Sequence, residues 1–395
     1  MSDPPHTRIA LVGAGEMGRA ALGIIARRLP GARFRVFDQS ESHLLLAREL
    51  APDRISVTPA EIGPEALPDL GDSEVVLNCA GPFYLGSDAI ARAALAAGIT
   101  YLDICDDVEG ARAILALDEE AKRAGVALIT GAGNSPGTSN VMGKRLLELH
   151  PECDGIRVVW VVRDSDPGGL APLRHMLHMA VETCPVWDEG RLTETAGFVP
   201  KTARAHQLPE PVGHVVAFDT AHPEPLTMSR ALPRLRHVSV QGALQPAWAN
   251  DAFSTLGRIG FGYPDLRVEV NGAEVQPDEV LWKLLWARHR KRAGDSWDEK
   301  PGMTCVQVQA LRGEEIVATM SVYDDHSMLR TTGIGAAAAT LAALAATPPP
   351  GAWGTEVLEA EAFLDLVAEL AAAEGALPDG IVEGGAARPA ADNQA

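Results

Sequence analysis

The sequence predicts an α/β protein built on a doubly wound parallel sheet, and three observations lead there. Ile9-Ala10-Leu11-Val12 is an apolar strand that runs straight into the turn Gly13-Ala14-Gly15-Glu16-Met17-Gly18. Short apolar runs then alternate with amphipathic or alanine-rich stretches as far as about His150, the pattern of parallel strands joined by helical crossovers. Beyond about Gly155 strand-like runs arrive with few helices between them, so a second domain of a different class follows.

In chain order, Ile9–Val12, Arg33–Phe37, Ile55–Val57, Glu74–Asn78, Thr100–Ile104 and Val126–Thr130 read as strands, with a helix from Met17 to Leu29 after the first. The glycine spacing G-x-G-x-x-G between strand and helix is the context a dinucleotide site requires. Gly13 permits the tight turn, Gly15 lets backbone approach a pyrophosphate, and Gly18 lets helix pack on strand. The helix N-terminus adds unpaired N–H groups and positive partial charge. Ala14, Glu16 and Met17 fill the loop. Asp38, twenty residues after Gly18, closes the second strand and is placed to accept ribose hydroxyls, which favours NAD over NADP because a 2′-phosphate would meet a like charge. Gln39 follows it; Arg33 and Arg35 are the residues that could reverse this preference.

Ligands of such sheets sit outside the carboxyl ends of the strands. Those ends are Gly13, Asp38, Cys79-Ala80-Gly81-Pro82-Phe83, Asp103-Ile104-Cys105-Asp106 and the loop Gly131–Gly137. This part, 1–137, is the expected dinucleotide-binding Rossmann domain. The segment 138–330 is an inserted α+β domain for substrate binding and dimerisation, with strands Ile156–Val162, His214–Asp219, His237–Val240, Leu266–Val270, Met303–Leu311 and Glu315–Tyr323 in a mostly antiparallel sheet. Its one clear helix is Pro277–Arg292, whose charges complement the helix dipole at both ends. Segment 331–376 brings helices at Ala336–Ala346 and about Glu356–Glu374 that return to the first domain. The tail 377–395, rich in Gly, Ala and Pro, is expected to be disordered.

Composition sets outer bounds. The chain has 395 residues, 46% hydrophobic and 22% charged, the balance of a globular protein large enough for two or three domains. A formal charge of −19 argues against nucleic-acid and anionic-membrane partners. Five cysteines, Cys79, Cys105, Cys153, Cys184 and Cys305, are scattered without a C-x-x-C pair, so reduced thiols are expected and no metal site. No leader pattern and no long uninterrupted apolar run are visible, and a cytoplasmic protein is the expectation.

Three segments together resemble the saccharopine dehydrogenase-like oxidoreductases: Asn78-Cys79-Ala80-Gly81-Pro82-Phe83, Gly98-Ile99-Thr100-Tyr101-Leu102-Asp103, and Thr331-Thr332-Gly333 opening a C-terminal helix. The resemblance implies a homodimer, and hydride transfer between a nicotinamide and a carbon bearing nitrogen. It also implies that Ala80-Gly81-Pro82-Phe83 contact the cofactor.

Candidate chemistry follows from the strand ends. Asp103 stands in a dense acidic edge with Asp106 and Asp107, where crowded carboxylates can shuttle protons; helix capping suits Asp106 and Asp107 equally well. Asn134 and Ser135 are candidate substrate contacts, although turn formation also explains them. Arg174, in a stretch similar to the family's substrate segment, would hold a substrate carboxylate through its guanidinium fork, with His175 as proton donor. His175 and His178 share a helix face but lack a third metal ligand. His237 and Ser239 form a further candidate pocket wall. The small-molecule substrate is an amine, amino acid or imine; a carbonyl or alcohol dehydrogenase, a redox-neutral enzyme that recycles bound NAD, and a non-catalytic NAD(H) sensor are the alternatives. Hydrolase and kinase motifs are absent from the sequence.

Overall fold

The computed structural model describes residues 7–61, 68–86, 88–163, 170–179, 183–263, 265–294 and 302–385. The first domain runs β1 (Arg8–Val12), α1 (Glu16–Arg28), β2 (Arg33–Asp38), α2 (Glu41–Glu49), β3 (Ile55–Pro59), β4 (Val75–Asn78), α3 (Asp88–Ala97), β5 (Thr100–Asp103), α4 (Val108–Leu115), α5 (Asp118–Ala124) and β6 (Ala127–Ile129). The expected strands are all present, within a residue or two at each end. Residues 9–12 and 75–78 are buried throughout, which is why these strands read as continuous apolar runs instead of alternating ones.

After the hinge loop come α6 (Thr138–Leu149), β7 (Gly155–Arg163), α7 (Leu170–Met179), β8 (Thr183–Asp188), β9 (Arg191–Ala196), β10 (Arg204–Gln207), β11 (His214–Asp219), α8 (Glu224–Ala231), β12 (His237–Gln245) and α9 (Trp248–Leu256). A small hairpin of β13 (Val268–Val270) and β14 (Ala273–Val275) precedes α10 (Pro277–Gly294), β15 (Thr304–Arg312) and β16 (Glu315–Asp324). The chain closes with α11 (Met328–Ala345), β17 (Gly351–Trp353), α12 (Ala360–Ala373) and β18 (Ile381–Gly385).

The first sheet is parallel, in the order β17-β6-β5-β4-β1-β2-β3. Strand order reverses between β1 and β4, so their carboxyl ends diverge and leave a crevice there. β17 is an element that sequence reading missed. It is three residues long, follows Pro348-Pro349-Pro350, and is a strand only because β6 presents it an edge.

The second sheet is mostly antiparallel, as expected: β15 pairs antiparallel with β7 and β16, and one pair, β12 with β7, is parallel from His237↔Gly155 to Gln245↔Arg163. It departs from expectation in three ways. Helices α7, α8 and α9 interrupt its strands, so Pro277–Gly294 is one helix among several. Residues 381–385, expected in a disordered tail, form β18 against the edge of β16, whose free backbone groups they satisfy. The strand expected at Leu266–Val270 is only the short β13, outside the main sheet.

The return to the first domain occurs through α11, which starts at Met328, earlier than expected, and is capped by Ser327, whose hydroxyl accepts the Leu329 N–H at 3.1 Å. A Cβ on Gly333 would meet the Ala20 methyl of α1 at 2.6 Å, so glycine lets the two helices touch. By length and composition α11 could cross a membrane, but 61% of it is buried inside the protein. Ile156, Val158 and Trp160 of β7, Val306 and Val308 of β15, Val141 of α6 and Ala337 of α11 share one apolar core with Leu11 and Leu77, which ties the two sheets into one body.

Candidate active site

The glycine loop has the form a dinucleotide needs. Gly13 has φ +87°, and a Cβ there would lie 2.6 Å from the Cys79 carbonyl carbon and the Ala80 nitrogen. A Cβ on Gly18 would run into the Gly13 carbonyl oxygen. Gly15, which caps α1, has nothing within 4 Å of its own Cβ position, so open space lies in front of the helix N-terminus. Glycine is thus required at two positions for packing and leaves a cradle at the third. Asp38 is buried at the end of β2: its Oδ2 accepts the Ala14 N–H at 2.6 Å and its Oδ1 the Ser40 N–H at 2.8 Å. Glu16 and Gln39 are exposed. Arg35 is turned to Asp69 at 3.3 Å. These residues fit a nicotinamide dinucleotide.

At the end of β4, Ala80 donates its N–H to Asn78 Oδ1 at 3.1 Å, Gly81 is exposed, and Pro82 leads to the buried Phe83. The Phe83 and Tyr84 N–H groups both point at Asp107 Oδ2, at 2.8 and 3.1 Å.

Beside this loop a cavity of about 680 Å³, open to solvent, lies between the domains. Met17 of α1, Ile104 and Asp106 after β5, and Asn134, Ser135 and Pro136 form its wall on the first domain. The facing wall is Trp160 and Val162 of β7, His175, Met176 and Met179 of α7, and His222; Met328 and Thr332 of α11 close the end. Most of the lining is apolar, with imidazole and carboxylate groups at few points, as small-molecule sites are built.

His175 is the polar group of the cavity with two carboxylates beside it. Its Nδ1 lies 2.6 Å from Asp107 Oδ1, and Nε2 is 3.6 Å from Asp106 Oδ2 at the lip. Asp107 stands at the N-cap position of α4 yet makes no capping bond, so the capping expectation is corrected: its carboxylate serves His175 and the Phe83 loop. Burial alone would raise the Asp107 carboxyl; the His175 charge and hydrogen bond and the Tyr84 N–H outweigh it and hold the group below its ordinary range. Asp107 therefore fixes Nδ1 as the donor, with Nε2 on the side of Asp106. Asp106, Asp107 and His175 also offer ligand atoms within 4.8 Å of one another, the one such set among the described residues; the short N···O contact is that of a hydrogen bond.

Other candidates separate. Asp103 is fully buried beneath the rim and does not line the cavity. Its Oδ1 accepts from Cys105 N, Thr130 Oγ1 and Gly131 N at 2.8 to 3.0 Å, and its Oδ2 from the Tyr101 hydroxyl at 2.9 Å. That makes it a brace between β5 and the hinge loop, out of reach of a substrate. His237 bonds Ser239 at 3.0 Å but sits where β12 meets Gly155, at the far end of β7 from Trp160, and neither residue lines the cavity. His178 stacks on Tyr84 at 4.3 Å. The Arg174 side chain lies outside the described residues. Asn134 and Ser135 do line the cavity, and Ser135 donates to Glu224 Oε1 at 2.7 Å. His222, Glu224 and Trp160 escaped sequence reading: Ala221-His222-Pro223-Glu224 resembles any helix-opening turn, and nothing local ties it to residues ninety positions earlier.

Residues 9–129 match the family model described as the saccharopine dehydrogenase NADP binding domain. The fold is that of saccharopine dehydrogenase (L-Glu forming) from Saccharomyces cerevisiae, which superposes over 96% of this chain and 100% of its own with a TM-score of 0.63 at 13% identity. Residues 9–129 thus form a saccharopine dehydrogenase-type NADP binding domain. An amine dehydrogenase from Mycobacterium smegmatis (TM-score 0.42, 11% identity, 90% of this chain and 96% of that one) and GenD2 from gentamicin A biosynthesis in complex with NAD (TM-score 0.40, 15% identity, 97% and 98%) are more distant. No curated protein matches in sequence. The domain match and the glycine cradle support a nicotinamide cofactor, and with it an NAD(P)-dependent oxidoreductase. Of the segments that carry the resemblance, Asn78 closes β4 and Thr332 of α11 lines the cavity.

Proposed function

We propose that this chain is an NAD-dependent dehydrogenase acting at the C–N bond of an amine, amino acid or imine. The observation that carries the reading is that one cavity is walled by Met17, next to the glycine loop, and by His175, whose imidazole is oriented by Asp107. The cofactor, when bound, supplies a hydride acceptor or donor. The protein supplies position and proton transfer: His175 Nε2 takes a proton from, or gives one to, the substrate nitrogen, while Asp107 stabilises the imidazolium. Met176, Met179, Met328 and Val306 exclude water from the reacting carbon. Asp38 supports NAD over NADP, since its buried carboxylate faces the loop that receives the adenosine ribose and Arg35 is engaged elsewhere.

Calorimetric titration with NAD, NADH, NADP and NADPH tests the cofactor half. A screen of amines, amino acids and alcohols by absorbance of the reduced cofactor tests the reaction half. Turnover of alcohols alone would replace the C–N reading with an alcohol dehydrogenase, and no nucleotide binding would remove the proposal altogether.

A further inference from the structure

His222 stands in the turn between β11 and α8, is only 5% exposed, and lines the cavity opposite His175. Its ring lies between the Trp160 indole, at 5.7 Å between centroids, and the His175 imidazole, at 5.8 Å in an edge-on arrangement. Behind it is Glu224, fully buried, with Oε2 3.4 Å from His222 Nδ1. Glu224 Oε1 accepts from Ser135 at 2.7 Å and from Ser139 at 3.3 Å.

We propose that His222, backed by Glu224, is a second proton acceptor for the substrate that His175 faces, so that the cavity can take up two protons while oxidising a primary amine. The inference rests on the dehydrogenase reading above and deepens it. A buried carboxylate behind an imidazole stabilises the imidazolium that forms once the ring has taken a proton. Burial pushes the Glu224 carboxyl up, yet an imidazolium at His222, 3.4 Å away, and the Ser135 hydroxyl bring it below its ordinary range. The groups around His222 are Glu224 on α8, His175 on α7, and Asp106 and Asp107 after β5. Carboxylates outnumber imidazoles there, and among the described residues that line the cavity there is no Lys or Arg. Such a cavity favours a cationic ammonium substrate with an apolar body over an anionic one.

Oxidation of a primary amine needs two acceptors. The substrate ammonium first gives one N–H proton to an imidazole. The C–H bond then breaks with both electrons leaving as hydride to the oxidised nicotinamide, and C=N forms. Water adds through oxygen to that carbon and gives one proton to the second imidazole. One imidazolium protonates the nitrogen of the resulting carbinolamine; the C–N bond breaks, ammonia leaves, and the hydroxyl proton returns to the same imidazole. The sum is one carbonyl, one ammonia, one reduced nicotinamide and two protonated imidazoles.

The test uses the full chain with His222→Asn, Glu224→Gln and the double variant. With NAD and benzylamine or hexylamine, each single variant is expected to keep NAD affinity within about twofold while kcat falls by about a hundredfold or more and one limb of its pH profile is lost. Wild-type kcat and an unchanged pH profile in His222→Asn would overturn the proposal. Infrared difference spectra taken as pH is lowered give a readout that needs no substrate: the wild type should take its proton on the imidazole, whereas His222→Asn should gain a protonated-carboxyl band that disappears in the double variant. Absence of that band also overturns the pairing. A wild-type enzyme that oxidises neither amine while the band appears would instead overturn the C–N reading, and the two-proton role with it.

Discussion

His175 Nδ1 and Asp107 Oδ1 are 2.6 Å apart, and the contact joins α7 of the second domain to the loop after β5 of the first. It is at once the orientation of the proposed acid–base group and a tie across the cavity. Asp107→Asn leaves size unchanged but can turn the imidazole to the other tautomer. We expect kcat to fall by roughly two to four orders of magnitude, as for other buried His–Asp pairs, with NAD binding retained by calorimetry. Equal loss of kcat and of cofactor affinity would mean that Asp107 acts mainly by holding the Phe83–Tyr84 turn.

Gly15 and Gly18 separate binding from packing. Gly15 has an extended conformation and free space around its Cβ position, so Gly15→Ala should melt within a few degrees of wild type yet lose about tenfold or more in NAD affinity, because the methyl enters the pyrophosphate path. Gly18→Ala drives a methyl into the Gly13 carbonyl oxygen and should cost about 1–3 kcal/mol, as overpacking does. Thermal melts with parallel calorimetry check both.

Asp38→Ala removes the acceptor for the Ala14 and Ser40 N–H groups and, on the proposed preference for NAD, the charge that would repel a 2′-phosphate. The ratio of NAD to NADP affinity should drop by about tenfold or more, corresponding to about 1.4 kcal/mol. A ratio that does not move would show that cofactor choice is made elsewhere.

Asp103 is held at about 6 by burial, with the Gly131 and Cys105 N–H groups and the Tyr101 and Thr130 hydroxyls pulling the other way. An unfolded aspartate titrates near ~3.9. The folded value being the higher, the folded state binds the extra proton between these values. The associated stability is fully present below about pH 4 and is lost as pH rises through about 6, by up to roughly 3 kcal/mol. Asp103→Asn has no such proton, so its deficit against wild type should shrink by that order between about pH 4 and about pH 7 in urea unfolding. At neutral pH the variant should keep most of its kcat, because Asp103 lies outside the cavity; loss of more than about a hundredfold would restore a catalytic role for it.

The nucleotide half of the site was legible because its requirements are local. A strand with both faces buried, a glycine at positive φ and a carboxylate at the next strand end are written in consecutive residues, and Gly13, Gly18 and Asp38 stand where that pattern puts them. The family resemblance read from Asn78–Phe83 and Gly98–Asp103 holds in the fold and in the matched domain. The substrate half was legible only in fragments. His175, Asn134 and Ser135 line the cavity, while Asp103, His237 and Ser239 do not, because whether a polar residue at a strand end points to a ligand or to its own neighbours depends on donors such as Thr130 and Tyr101 converging from other strands.

By itself, then, the sequence determined the parallel sheet, the glycine cradle and the carboxylate at Asp38, since side-chain periodicity and backbone conformational freedom act over a few residues. Tertiary structure alone decided that β12 runs parallel to β7, that Gly351–Trp353 and Ile381–Gly385 become strands, and that His175 meets Asp107 and His222 meets Glu224 around one cavity. Those outcomes rest on sheet edges that need partners and on buried charges that need counter-charges, and such needs are met by whichever distant segment the packed core brings alongside.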